Sequence, residues 1–212
     1  MKVALIAGAT GLIGSQLLQQ LLGSDRYHTV MALTRKDLPV HSKLVSLKMD
    51  RTTLENMDST MRIDDVFCCL GTTMAKANSK ERFYEVDFTY PLLLAKNSLR
   101  QGAQQYLLVS ALGANTKSPI YYNGVKGEIE DAISHIGFKT VHIFRPSLLL
   151  GPRDESRPGE DAAKFFYKVF GFIIPAKYKA VESIKVARAM LQYASREEIG
   201  TFVHESRELQ NF

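Results

Sequence analysis

Cysteine is almost missing from this chain: two residues in 212, adjacent at Cys68 and Cys69. That leaves no disulfide framework and suits a reducing compartment, so a cytoplasmic protein is expected. No apolar run reaches the ~20 residues that a membrane-spanning helix needs. The apolar N-terminal residues are not read as a secretory signal, because they are committed to a strand and a glycine turn. Internal repeats and low-complexity tracts are absent as well. The five histidines, at 28, 41, 135, 142 and 204, share no metal-ligand spacing, and no metal is expected. Acidic side chains are outnumbered, 22 against 27 basic ones, giving a net charge of +5. This excess suits a small polyanion and tolerates weak nucleic-acid contact, but points to no specific nucleic-acid partner.

What remains is the composition of an ordinary globular protein, 45% hydrophobic and 23% charged. A chain of 212 residues is read as one domain, 1–212, with 152–212 as a small tail on the substrate side. Strand-like segments are expected at Val3–Ala7, Thr29–Thr34, Leu44–Leu47, Val66–Leu70, Gln105–Ser110 and Thr140–Phe144. Helical patterns fall between them, at Ser15–Leu22, Thr52–Thr60, Val86–Arg100 and Tyr121–His135. This alternation argues for an α/β fold, a doubly wound parallel sheet with helices on both faces.

The first strand runs into Gly8-Ala9-Thr10-Gly11-Leu12-Ile13-Gly14. Gly8 allows a tight turn, Gly11 removes a Cβ from the path of a pyrophosphate, and Gly14 lets the next helix press on the strand. The N-terminus of that helix then offers N–H groups to an anion. This predicts a dinucleotide site formed by residues 8–14. About 20 residues further on, where a carboxylate would hold a ribose 2′-hydroxyl, the chain instead reads Thr34-Arg35-Lys36. Arg35 is suited to a 2′-phosphate, so NADP(H) is expected over NAD(H). Asp50 is expected to accept from the adenine amino group. Leu70, Gly71 and Thr72, after the fourth strand, are expected to pass close to the cofactor's ribose and phosphates. Cys68 and Cys69 are read as packing residues.

Ser110 ends the fifth strand, and Tyr122-x-x-x-Lys126 follows on a helix. Residues four apart share a helix face, so the Tyr122 hydroxyl and the Lys126 ammonium can enter one cleft. A neighbouring ammonium favours tyrosinate, which is what proton transfer from a phenol requires. Tyr122 is therefore the expected proton donor, Lys126 its partner and a ligand for the nicotinamide ribose, and Ser110 the group that holds a substrate carbonyl. Tyr121 is five residues from Lys126 and is rotated off that face. Arg145 is expected to brace a strand end. Arg153 is read either as reaching a substrate anion or as a solvated loop residue. The apolar stretch Phe165–Pro175 is read as core and pocket wall or, alternatively, as a protein-partner or membrane-surface patch.

Taken together, Gly8-x-x-Gly11-x-x-Gly14, Ser110, Tyr122-x-x-x-Lys126 and Arg145-Pro146-Ser147 resemble the short-chain dehydrogenase/reductase superfamily, in its extended and atypical branches. Cys69-Leu70-Gly71-Thr72-Thr73, Val109-Ser110-Ala111 and Tyr122–Glu128 are similar to the small atypical group that includes the human Tat-interacting protein of the NADPH-binding oxidoreductase type. The resemblance implies a Rossmann fold, NADP(H)-dependent hydride transfer at a carbonyl or hydroxyl carbon, and Pro146 lining the nicotinamide site. Two positions depart from it. Asp87 stands where an asparagine relay is usual, and Ala111 and Leu112 stand where extended relatives often carry the catalytic hydroxyl. The other function the resemblance allows is an NADPH-binding regulatory or assembly protein that binds a protein partner without turnover.

Overall fold

The computed structural model describes residues 1–57, 62–151, 178–196 and 198–212. Strands β1 (Lys2–Ala7), β2 (Tyr27–Thr34), β3 (Leu44–Lys48), β4 (Asp65–Cys68), β5 (Gln105–Val109), β6 (Thr140–Arg145) and β9 (Gly200–Glu205) form one sheet in the order β3-β2-β1-β4-β5-β6-β9. Every pairing is parallel. The strand order therefore reverses between β1 and β4, and a doubly wound sheet opens a ligand crevice at that reversal, beyond the carboxyl ends of the strands. Two short strands, β7 (Leu149–Leu150) and β8 (Val181–Glu182), pair separately.

Successive strand residues face opposite sides, and the core divides accordingly. Ala4, Ile6, Val30, Ala32, Phe67, Leu107 and Phe144 pack on one face against α1 (Leu12–Gly23) and α7 (Ser183–Ala194). Leu5, Met31, Leu33, Val66, Leu108 and Ile143 pack on the other, against α2 (Arg51–Glu55), α5 (Tyr90–Arg100) and α6 (Tyr121–Ser134). The remaining helices, α3 (Met74–Ala77), α4 (Lys80–Tyr84) and α8 (Ser206–Leu209), are single turns.

Three expectations are revised. First, α1 begins at Leu12, inside the glycine stretch, because Gly11 itself is its N-cap. Second, the helix expected from Val86 starts at Lys80 and carries a π-helical turn over Glu85–Thr89. Pro91 has no N–H to bond the carbonyl of Asp87 four residues back, so the ladder widens just before it. Third, the tail is not confined to the substrate side: α7 packs on α1, and β9 pairs with β6 along its whole length.

At this sheet edge two histidines meet. His142 Nδ1 lies 3.1 Å from His204 Nε2, and His204 Nδ1 lies 2.9 Å from Glu208 Oε1. Glu208 accepts from His204 Nδ1–H, and with both rings neutral, the form that burial favours, His204 Nε2 accepts from His142 Nδ1–H. Burial, with help from His204 and Arg196, holds His142 down at about 4, and burial also lowers His204 against the opposing pull of Glu208. An unfolded histidine takes up its proton near 6.5 while the folded one resists to about 4. Stability is accordingly complete above pH 6.5 and is lost as pH falls between these values, by about 2–3 kcal/mol at the acid end. Thermal melts from pH 7.5 to 4.5 should show this fall, and His142→Phe should flatten it; an unchanged slope in the variant would contradict the assignment.

Candidate active site at the strand-order reversal

The crevice is built by close backbone contact. Gly8 adopts φ +84°, and a Cβ there would sit 2.5 Å from the Cys69 carbonyl oxygen. A Cβ on Gly14 would collide with the Gly8 carbonyl, closer than side chains approach backbone. Both glycines are therefore fixed by the fold itself. Gly11 is different: a Cβ there would meet only the Gly8 oxygen, at 3.2 Å, and the residue is exposed. As N-cap it offers no side chain to the first N–H groups of α1, which leaves that helix end open to an anion. Thr10 is exposed beside it, whereas Ala9 and Ile13 are buried and Leu12 is half-buried.

The segment after β4 connects this turn to α6. Gly8 abuts Cys69, and a Cβ on Gly71 would lie 3.5 Å from Asp87 Oδ1 and 3.7 Å from Lys126 Nζ. Lys126 and Asp87 form an ion pair of 2.7 Å with both side chains buried. The Thr72 N–H donates to Asp87 Oδ2 at 2.8 Å. Burial pushes the Lys126 ammonium down, but the Asp87 carboxylate beside it outweighs this, and the net displacement is upward. Tyr122 is half-buried, with its ring 5.5 Å from that of Phe83. Tyr121 is turned away, as its spacing requires: its hydroxyl donates to the Lys80 carbonyl at 3.0 Å. Cys68 closes β4 in the core, and burial raises both cysteine thiols, which keeps them unreactive.

Ser110 has a partner that the sequence did not reveal. Its hydroxyl donates to Glu130 of α6, and that carboxylate also accepts from Arg145 Nε at 3.0 Å. Arg145 in turn donates to Glu205 of β9 at 3.0 Å. The Ser110 proton is thus directed into a buried network that bridges β5, α6, β6 and β9. Arg145 braces the end of β6, as expected. Sequence reasoning missed Glu130, although its signal was present: it follows Lys126 by four residues, as Lys126 follows Tyr122. Pro146 is buried, and its carbonyl accepts from the Leu112 N–H at 3.0 Å.

At the other end of the crevice, Thr34, Arg35, Lys36, Asp37, Leu38 and the 46–49 segment line a cleft of about 600 Å³. The Thr34 hydroxyl bridges the backbone of Lys36, accepting from its N–H and donating to its carbonyl. Arg35 and Lys36 are exposed. Asp50 caps α2 by accepting from the Thr53 N–H and pairs with Lys48 at 2.9 Å. These contacts, the Thr53 N–H foremost, hold its carboxyl down at about 2. Arg153 and the Phe165–Pro175 stretch lie outside the described residues. Among the described residues, no group of three or more His, Cys, Asp or Glu is arranged to hold a metal, and no helix is long and apolar enough to cross a membrane.

A parallel sheet with a glycine turn at its reversal, and a Tyr-x-x-x-Lys helix two strands away, defines a Rossmann protein of the extended short-chain dehydrogenase/reductase kind. The model of the NAD dependent epimerase/dehydratase family matches residues 4–123, and the chain belongs to that family. It is 34% identical over 195 residues to protein HTATIP2 of Rattus norvegicus, covering 90% of this chain and 80% of that one. It is 35% identical over 180 residues to the protein fmp52, mitochondrial, of Emericella nidulans, covering 80% and 76%. WbmH of Bordetella bronchiseptica, solved in complex with NAD+, shares the fold with a TM-score of 0.73 at 17% identity, over 97% of this chain and 76% of that one. The fmp52 name corrects the cytoplasmic expectation: similar chains are placed in mitochondria. A low cysteine count reports on disulfides and does not distinguish one reducing compartment from another.

The glycines give a direct test. Gly14→Ala should destabilise the fold by about 1–3 kcal/mol through overpacking. Gly11→Ala should melt near the wild-type temperature yet weaken dinucleotide binding at least several-fold. Equal melting of the two variants would contradict this division of roles.

Proposed function

We propose that the protein is an NADP(H)-dependent oxidoreductase that transfers hydride to or from a carbonyl or hydroxyl carbon, with Tyr122 as proton donor or acceptor. The observation that carries this reading is the buried Lys126, held beneath Gly71 on the same helix face as Tyr122 and one backbone segment away from the glycine turn. The chain's own residues fit the cofactor. Gly8–Gly14 would take the pyrophosphate on the open end of α1, with Thr10 and Gly11 exposed to it. Arg35, exposed at the end of β2 beside a roomy cleft, would take the 2′-phosphate as a fork, and Lys36 would add charge. Leu70, Gly71 and Thr72 would border the riboses, and Pro146 the nicotinamide. When bound, the cofactor supplies or accepts the hydride.

Proton handling belongs to α6. In reduction, the Tyr122 hydroxyl gives its proton to the developing alkoxide, and the fixed positive charge of Lys126 stabilises the tyrosinate left behind. An ammonium has three N–H donors, and Asp87 engages one side of it, so further N–H groups serve the ribose hydroxyls. Ser110, committed to Glu130, acts in this reading by fixing the end of β5 rather than by donating to substrate. Asp50 retains lone pairs beyond its cap and Lys48, and these can receive the adenine amino group.

Two measurements test the proposal. NADPH should bind more tightly than NADH, and Arg35→Ala should weaken NADPH by about tenfold or more while leaving NADH almost unchanged, as expected for loss of a charge-assisted pair. In a screen of carbonyl substrates, Tyr122→Phe should lower turnover by about 10²–10⁴-fold with NADPH affinity kept. Undiminished turnover in the Tyr122→Phe protein would reject the catalytic assignment. NADPH binding without turnover on any carbonyl would favour the regulatory alternative.

A further inference from the structure

Asp87 lies in the π-helical turn over Glu85–Thr89, 1% exposed, and the Lys126 it meets is 4% exposed. An ammonium so far from water holds its proton only beside a negative charge. Both neighbours of the Asp87 carboxylate are donors: the Lys126 ammonium faces Oδ1 at 2.7 Å and the Thr72 N–H faces Oδ2 at 2.8 Å. A side chain that only accepts can face both, the Thr72 N–H as a hydrogen bond at Oδ2 and the Lys126 ammonium as an ion pair at Oδ1. An asparagine of the same shape has a single oxygen, and its amide N–H₂ would be turned towards one of these donors. The position therefore calls for a carboxylate on both charge and hydrogen-bond grounds. Its backbone setting is specific too, because the widened turn follows from Pro91.

We propose that Asp87 is a positioning residue of this site, which holds Lys126 as a charged ammonium beneath Gly71 and ties the Gly71–Thr72 backbone to the Tyr122–Lys126 helix. The two oxygens of one side chain thus join the segment that borders the glycine turn to the helix that moves the proton. Gly71 is part of the same arrangement: its Cα packs directly over the ion pair, where a Cβ would be in ordinary contact with both Asp87 Oδ1 and Lys126 Nζ. Since Asp87 and Lys126 cancel as a pair, Lys126 exerts its effect by proximity to Tyr122 and not through a net charge on the site.

The inference rests on the oxidoreductase reading for its consequence but not for its test. Protein labelled at lysine side-chain nitrogens is titrated by NMR, with Lys126→Arg identifying the Lys126 signal. In the wild type, Lys126 should stay protonated beyond the range in which the exposed lysines titrate. In Asp87→Asn its proton affinity should fall by more than about tenfold, and the Thr72 amide should exchange with solvent at least several-fold faster. Turnover of Asp87→Asn should then acquire a new dependence on pH that follows the Lys126 titration. A Lys126 titration unchanged by Asp87→Asn would overturn the proposal. If Asp87→Asn does not fold, the wild-type titration decides alone, and a Lys126 that titrates with or before the exposed lysines rejects it. Should Tyr122→Phe retain full turnover, the catalytic reading fails while the Lys126 titration still judges Asp87.

Discussion

The approach of the Gly8 backbone to the Cys69 carbonyl is the constraint from which the rest of this site follows. A Cβ at Gly8 would stand 2.5 Å from that oxygen, and a Cβ at Gly14 would strike the Gly8 carbonyl in turn. Only with both side chains absent can β1 end this close to β4 and α1 begin this close to β1. The consequence extends beyond the turn. With Cys69 fixed against Gly8, the following Leu70, Gly71 and Thr72 are carried over the ends of the strands to the place where Asp87 and Lys126 pair. The glycine turn and the buried Lys126–Asp87 pair thus share one short stretch of backbone as their common wall.

Much of this was legible because it is local. Most of the strands that were read correctly are buried ones, such as Ile6 and Leu107 on one face and Leu5 and Leu108 on the other, written as near-continuous apolar runs; β3, with no buried residue, is the exception. The Tyr122–Lys126 face followed from helical spacing alone. What escaped was non-local or depended on an exposed edge. In β9 only His204 is buried, so its sequence carries no strand pattern, and its place in the sheet comes from pairing with β6. The meeting of His142 with His204 bridges 62 positions and has no counterpart in ligand spacing. The π-helical turn over Glu85–Thr89 stands just before Pro91, whose missing N–H leaves the Asp87 carbonyl without its partner four residues on, and no apolar period announces such a turn.

Ser110 shows what a hydroxyl at a strand end meets once the chain is folded. Its place at the end of β5 was predicted, but a hydroxyl next to a strand end donates to the strongest acceptor within reach. Here that is Glu130, a buried carboxylate two turns along α6 from Tyr122 and already bridged to Arg145. Ala111 and Leu112 offer no replacement hydroxyl in the next two positions. In the proposed reaction the polarisation of a carbonyl then falls on Tyr122 itself, which places more of the barrier on a single proton donor and its lysine.

The distribution of charge makes the two ends of the crevice physically different. Inside, each cation has a partner: Lys126 with Asp87, and Arg145 with Glu130 and Glu205. The Lys126–Asp87 and Arg145–Glu130 pairs are buried or half-buried, where ions of the solvent screen little, whereas Glu205 is exposed. At the end of β2, Arg35 and Lys36 stand exposed with no ion-pair partner among the described residues. A 2′-phosphate taken there would be held by charges that salt screens readily, whereas the Tyr122–Lys126 apparatus is insulated from it. Ionic strength should therefore act on cofactor affinity and leave the chemical step nearly untouched. In the proposed function, the excess of basic residues that first suggested a polyanion thus bears on which cofactor is captured, and the neutralised interior on what is done with it.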